Sequence, residues 1–90
     1  MKTGVLEVRI AASPSSCAQV GIIVPKYGRV IVERNKLRRR LRELARTRLL
    51  PALASEASPR AVLIRALPSA YSASFDGLGR DIDAVVARIG

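Results

Sequence analysis

Arg34, Asn35, Lys36, Arg38, Arg39 and Arg42 sit together in the run Arg-Asn-Lys-Leu-Arg-Arg-Arg-Leu-Arg-Glu, which covers 34–43. These residue types suit phosphate. A guanidinium is planar, weakly hydrated and donates two parallel hydrogen bonds to an anionic oxygen pair. Asn35 adds a neutral donor and acceptor able to read a base edge or a 2′-hydroxyl. Between Lys26 and Arg48 lie ten of the sixteen Lys and Arg residues against Glu33 and Glu43 alone, so this segment carries a formal +8 of the chain's +9. Eight of those bases fall within the fifteen residues from Arg34 to Arg48. Like charges this dense repel one another by a few tenths of a kcal/mol per i,i+4 pair, so local stability alone does not favour them. The plainer alternatives are a solvated face of snorkelling arginines, or a general DNA-binding patch. The density of bases and scarcity of acids favour a nucleic-acid surface.

Other chemistries are poorly supplied. The sequence has no histidine and one cysteine, Cys17, which excludes an internal disulfide, zinc sites and Ser-His or Cys-His catalysis. Asp76, Asp81 and Asp83 are expected on a last helix without a converging partner, so no protein-borne metal site, and no catalytic residue, is expected. Cys17 is expected to act as a small buried residue. Met1-Lys2-Thr3-Gly4 leads into an alternating segment, unlike a signal peptide, and no stretch approaches a membrane span. A soluble, cytoplasmic chain with no membrane partner is expected.

The elements that must position the basic run follow from periodicity. Ninety residues make a single domain, 1–90, and 49% hydrophobic residues are enough for a core, which a disordered basic tail would lack. Val5–Ala11 alternates Leu6, Val8 and Ile10 with Glu7 and Arg9, as a half-buried strand does. Ser13-Pro14-Ser15-Ser16 reads as a turn. Ala18–Val24 is more continuously apolar and reads as an interior strand; the short loop between the two strands favours an antiparallel pair. Val30-Ile31-Val32 reads as strand if taken alone. Leu37, Leu41, Leu44 and Ala45, however, recur at helical spacing with Val30 on the same face, which predicts one helix over Val30–Leu49 with Pro51 near its end. Ala52–Pro59 reads as a connection of small residues, Arg60–Leu67 as a strand and Pro68-Ser69-Ala70 as a turn. Ser72 or Ser74 can cap a last helix whose apolar face is Phe75, Leu78, Ile82, Val85, Val86 and Ile89. The order strand, strand, helix, strand, helix predicts an α+β sandwich of one sheet with helices packed against it.

On that helix Arg34, Arg38 and Arg42 share one face, and Asn35, Arg39 and Arg46 line the adjacent strip, while the leucines turn to the sheet. This pattern resembles the protein component of bacterial ribonuclease P, whose helix is marked by Arg-Asn-x-x-(Lys/Arg)-Arg-x-x-Arg-(Glu/Gln). Arg34, Asn35, Arg38, Arg39, Arg42 and Glu43 occupy the matching positions. Gly21-Ile22-Ile23-Val24-Pro25-Lys26 looks like the family's strand end, and Ile64-Arg65-Ala66 with Pro68 resembles its turn after the last strand. The resemblance runs from about Val5 to Ile89. It implies a small α/β sandwich with a left-handed β-α-β crossover through the arginine-rich helix. It also implies a function: binding the catalytic ribonuclease P RNA through this helix, in a 1:1 complex as a monomer, and helping to hold the 5′ leader of precursor tRNA in a cleft on the sheet. The RNA, with its own Mg2+, would perform the hydrolysis, and the protein alone would bind no cofactor. Three departures follow from the comparison. The family's additional basic helix and short strand, ahead of this segment, have no counterpart here; Glu7 and Arg9 stand where the leader cleft carries aromatics; and Gly28 lies one residue early, with Ile31 at a position usually small.

Lys26, at a strand end, could contact leader or RNA phosphates or be solvated. Arg9 could face the leader cleft or simply the solvent side of the sheet. Arg65 matches the family's arginine and is a further candidate RNA contact. Tyr27, Tyr71 and Phe75 read better as packing than as base-stacking platforms. Two rival functions remain at this stage. One is a general RNA- or DNA-binding module of ribosomal-protein type, marked by equal affinity for unrelated RNA. The other is a stand-alone nuclease, against which the absent histidines and unclustered carboxylates argue.

Overall fold

The computed structural model describes all residues of the chain except Ser15, Glu56, Ala57 and Gly90. Three strands, β1 (Leu6–Ala12), β2 (Gln19–Ile23) and β3 (Arg60–Ala66), form one sheet. A helix α1 (Ile31–Leu44) runs through a π-helical turn (Ala45–Leu49) into α2 (Leu50–Ala54). A 3-10 turn (Pro68–Ser72) and helix α3 (Phe75–Ile89) complete the order. The α+β architecture is the expected one.

The strand order is β1-β3-β2. β1 pairs antiparallel with β3, Val8 opposite Ile64, and β2 pairs parallel with β3, Ile22 opposite Ile64. The expected β1–β2 pair does not form: the two strands do run in opposite directions, but β3 lies between them. Two strand spacings are only about 10 Å, which the connection from Ser13 to Ala18 can span. The central place goes to the strand that offers Val62 and Ile64 to both neighbours. Because β2 and β3 are parallel and adjacent, α1 is a β-α-β crossover.

Alternation decides what each sheet face does. Leu6, Val8, Val62, Ile64 and Ala66 are buried on the face that receives the helices. They meet Leu37, Leu41, Leu44 and Leu49 from the first helical run and Leu78, Ile82, Val85 and Ile89 from α3 in a single core cluster. The opposite face carries Glu7, Arg9, Leu63, Arg65, Gly21 and Ile23, and no described element covers it. Leu63 lies over Gly21, where a Cβ would sit 3.0 Å from its Cδ1.

The helical run is longer than the sequence suggested, ending at Ala54, so the expected connection begins only after it; Ser15, Glu56 and Ala57 of the expected turn and connection lie outside the described residues. Pro51 is tolerated because the helix widens before it. A proline has no N–H to give and its ring collides with the carbonyl four residues back. Here the Leu50 N–H donates to the Ala45 carbonyl, the five-residue step of a π-turn, which makes room at that point. Val30, placed with the core leucines by spacing, is 61% exposed, because the helix begins beyond the end of the sheet.

The last helix is capped by Ser74, whose Oγ accepts from the Gly77 N–H at 3.0 Å. Phe75 lies outside its apolar face and is 42% exposed. Two of the α3 carboxylates, Asp81 and Asp83, are held by residues far away in sequence. Asp81 accepts from the Thr3 hydroxyl at 2.9 Å and the Val5 N–H at 2.8 Å, fastening the start of β1 to α3. Asp83 pairs with Arg48 at 3.2 Å. The Arg48 guanidinium reaches it across buried Gly79, where a Cβ would lie 2.6 Å from Nη1. Cys17 is exposed, not buried, since it falls in the connection rather than in a strand.

Candidate nucleic-acid interface

The basic helix is held on the sheet by its leucines, and its start is fixed by a set of carbonyl contacts. Leu37, Leu41 and Leu44 are at most 4% exposed, so the rotation of α1 about its axis is set by the core. Before the helix the chain turns through two consecutive left-handed residues, Tyr27 (φ 46) and Gly28 (φ 76). Glycine takes this conformation without strain, whereas a tyrosine needs support. The Tyr27 hydroxyl donates to the Ala66 carbonyl at 3.2 Å, across to the end of β3. The Tyr71 hydroxyl donates to the Pro25 carbonyl at 2.6 Å, and Arg34 Nε donates to the Val24 carbonyl at 3.2 Å. Arg29 stacks over the Tyr71 ring at 5.2 Å and pairs with Glu33 at 3.1 Å. The carbonyls left over where β2 and β3 stop are thus satisfied by side chains that also seat the helix.

With α1 so oriented, its cations divide by burial. Arg34 and Arg38 flank the leucine stripe and are half-buried; Asn35, Lys36, Arg39, Arg42 and Arg46 are exposed. Arg46 is tied to Glu43 through Nη2–Oε1 at 2.6 Å and Nε–Oε2 at 3.3 Å. The hydrogen bond to Glu43, and then its charge, raise the Arg46 pKa above its ordinary value. Arg42 and Arg46 also edge a groove of about 310 Å³ floored by Val20, Ile22, Ala45 and Leu50, along the outer side of β2. Two residues that sequence reasoning left out belong here. Arg40 is half-buried on the other flank of the stripe, and Arg48 is committed to Asp83.

Arg9 and Arg65 do not join this strip. Both are exposed on the open sheet face, the one opposite the helices. They line a shallow depression of about 210 Å³ together with Glu7, Ile23 and Leu63. Lys26 is exposed at the end of β2, between the two surfaces. The candidate residues therefore form two cationic surfaces. No group of three or more Cys, Asp or Glu able to hold a metal ion occurs among the described residues, and no helix among them is long and apolar enough to cross a membrane.

A two-layer α+β fold whose crossover segment, Lys26–Arg48, bears a formal +8 of the chain's +9 is the class defined by this geometry. The sequence model of the ribonuclease P family matches residues 2–90, and the chain belongs to that family. It is 42% identical over 77 residues to the ribonuclease P protein component of Salinispora tropica, covering 86% of this chain and 54% of that protein. It is 34% identical over 89 residues to that of Streptomyces avermitilis, covering 99% of this chain and 69% of that one. The chain thus spans between about half and two thirds of the length of these relatives. The fold is similar to the RNase P protein of Thermotoga maritima in complex with 1-(4-fluorophenyl)-2-thiourea, with a TM-score of 0.80 at 17% identity over 100% of this chain and 84% of that one. It is also similar to Staphylococcus aureus RNase P protein, with a TM-score of 0.77 at 18% identity over 98% and 77%.

Proposed function

We propose that this chain acts as the protein subunit of ribonuclease P, docking to the catalytic RNA through α1 in a 1:1 complex and assisting removal of the 5′ leader from precursor tRNA in the cytoplasm. The observation that carries the reading is the helix itself: a core-anchored element presenting Asn35, Lys36, Arg39, Arg42 and Arg46 to solvent, with Arg34 and Arg38 on its flank. A row of guanidinium groups on a backbone anchored by the core can replace the counterions of an RNA backbone without the helix having to fold on binding. Arg9, Arg65 and Lys26 give the open sheet face a weaker positive field suited to an extended single strand. Stacking there would rest on Leu63 and Ile23 rather than on aromatic rings, so leader binding would be chiefly electrostatic. The protein neutralises and positions. The hydrolysis, and the Mg2+ it needs, are assigned to the RNA: the sequence has no histidine, and its carboxylates form no metal-holding cluster among the described residues.

The test is cleavage of precursor tRNA reconstituted with the cognate RNA at low magnesium, with and without the protein. Protein-dependent enhancement is expected. Absence of enhancement, together with equal affinity for the ribozyme RNA and an unrelated structured RNA, would leave a general nucleic-acid-binding module as the better description.

A further inference from the structure

Three adjacent β-branched residues open the basic helix facing solvent: Val30, Ile31 and Val32 are 61%, 66% and 72% exposed. They are the most exposed large apolar side chains among the described residues, in a chain that buries most of its others. Nothing in the fold requires them there. The Val30 backbone forms the helix cap without a side-chain hydrogen bond, a place that Ser, Thr, Asp or Asn fills better. Helical spacing says what they adjoin. Ile31 lies four residues before Asn35 and seven before Arg38. Val32 lies three before Asn35, four before Lys36 and seven before Arg39. Ile31 and Val32 therefore head the same two strips that carry the cations, one turn further toward the helix start, with Asn35 between apolar head and charged body.

We infer that Ile31 and Val32 form an apolar platform for an unstacked nucleobase of the RNA that α1 binds, with Asn35 reading that base's edge and Arg38 and Arg39 holding the flanking phosphates. The inference rests on the RNA-docking reading above and deepens it by naming a single-stranded, splayed nucleotide as the local target. An RNA offers such bases in loops and bulges, where an apolar ring face and a hydrogen-bonding edge come next to backbone charge. β-branched side chains suit this use because they are stiff at χ1 and lose little freedom on contact. Charge decides against the other occupant of an apolar patch, a second copy of this chain. Lys26, Arg29, Arg34 and Lys36 lie within five residues of the patch along the chain, Glu33 is already paired with Arg29, and a symmetric contact would bring two segments of formal +8 together.

The experiment compares the whole chain with Ile31→Ser, Val32→Ser in binding to the cognate ribonuclease P RNA across a salt series. About tenfold weaker binding at every salt concentration is expected, with an unchanged slope of log K against log salt, because apolar contact is lost and charge is not. An Ile31→Leu, Val32→Leu variant, apolar but differently shaped, should stay within about threefold of the parent. Helix content by circular dichroism should match in all three, since serine is well tolerated in a first turn. Undiminished binding by the serine variant overturns the inference. So does a loss confined to low salt, or a parent chain that sediments as a dimer and becomes monomeric on substitution. If the parent chain shows no preference for the ribozyme RNA, the docking reading itself fails and this inference goes with it.

Discussion

Replacing Arg39 and Arg42 together with alanine tests whether α1 is a phosphate-binding face. Both side chains are exposed, and neither takes part in an ion pair among the described residues. The double variant should fold as the parent does, with stability changed by no more than about 0.5 kcal/mol. If each arginine displaces one counterion from RNA, log K against log salt should become shallower by about 0.7 per contact, about 1.4 in all. That contribution vanishes near 1 M salt; at about 0.15 M salt it amounts to roughly 1.6 kcal/mol, or about fifteenfold in affinity. Filter binding or fluorescence titration at four or five salt concentrations gives slope and affinity together. A weaker affinity with an unchanged slope would mean that the two side chains act other than on phosphates, and an unchanged affinity would remove this face from the interface.

Three further substitutions probe how the helix is held. Leu41→Ala removes a fully buried side chain from the centre of the core and should cost about 2–5 kcal/mol in urea denaturation; a loss below about 0.5 kcal/mol would mean that α1 is rotated away from the sheet. Tyr71→Phe deletes the 2.6 Å hydrogen bond to the Pro25 carbonyl and should cost about 1 kcal/mol, and amide exchange should quicken in the first turn of α1 more than in α3. Ser74→Ala removes the cap on α3 and should lower stability by about 1 kcal/mol while leaving RNA affinity unchanged, because α3 carries none of the proposed contacts.

Much of this molecule could be read along the chain. The alternation through Leu6, Val8 and Ile10, and the spacing of Leu37, Leu41 and Leu44, marked a strand and a helix whose buried sides are those observed. The failures share one cause: each turned on where an element lies relative to the rest of the fold. Val30 keeps the leucine rhythm but overhangs the sheet. Pro51 looked like a stop, yet a π-turn admits it. β1 and β2 looked like a hairpin because the later strand that separates them had not yet been considered. Apart from these, the fold alone gave Asp81 and Asp83 their partners Thr3, Val5 and Arg48, far away in sequence.

By itself the sequence determined the chemistry of the helix and its handle. Periodicity at 3.6 residues sorts leucine from arginine whatever the surroundings, and local charge density follows from composition alone. Only the tertiary structure decided how those cations are shared out. Arg34 spends its Nε on the Val24 carbonyl, Arg46 is held by Glu43 and Arg48 by Asp83, while Arg9 and Arg65 are turned to the opposite sheet face. Register sets which side of a sheet a side chain takes, and chain folding sets which carboxylate or carbonyl lies within reach of a long guanidinium. The same is true of Ile31 and Val32. They read as the apolar start of a helix until packing against a short sheet left them in solvent beside the basic face.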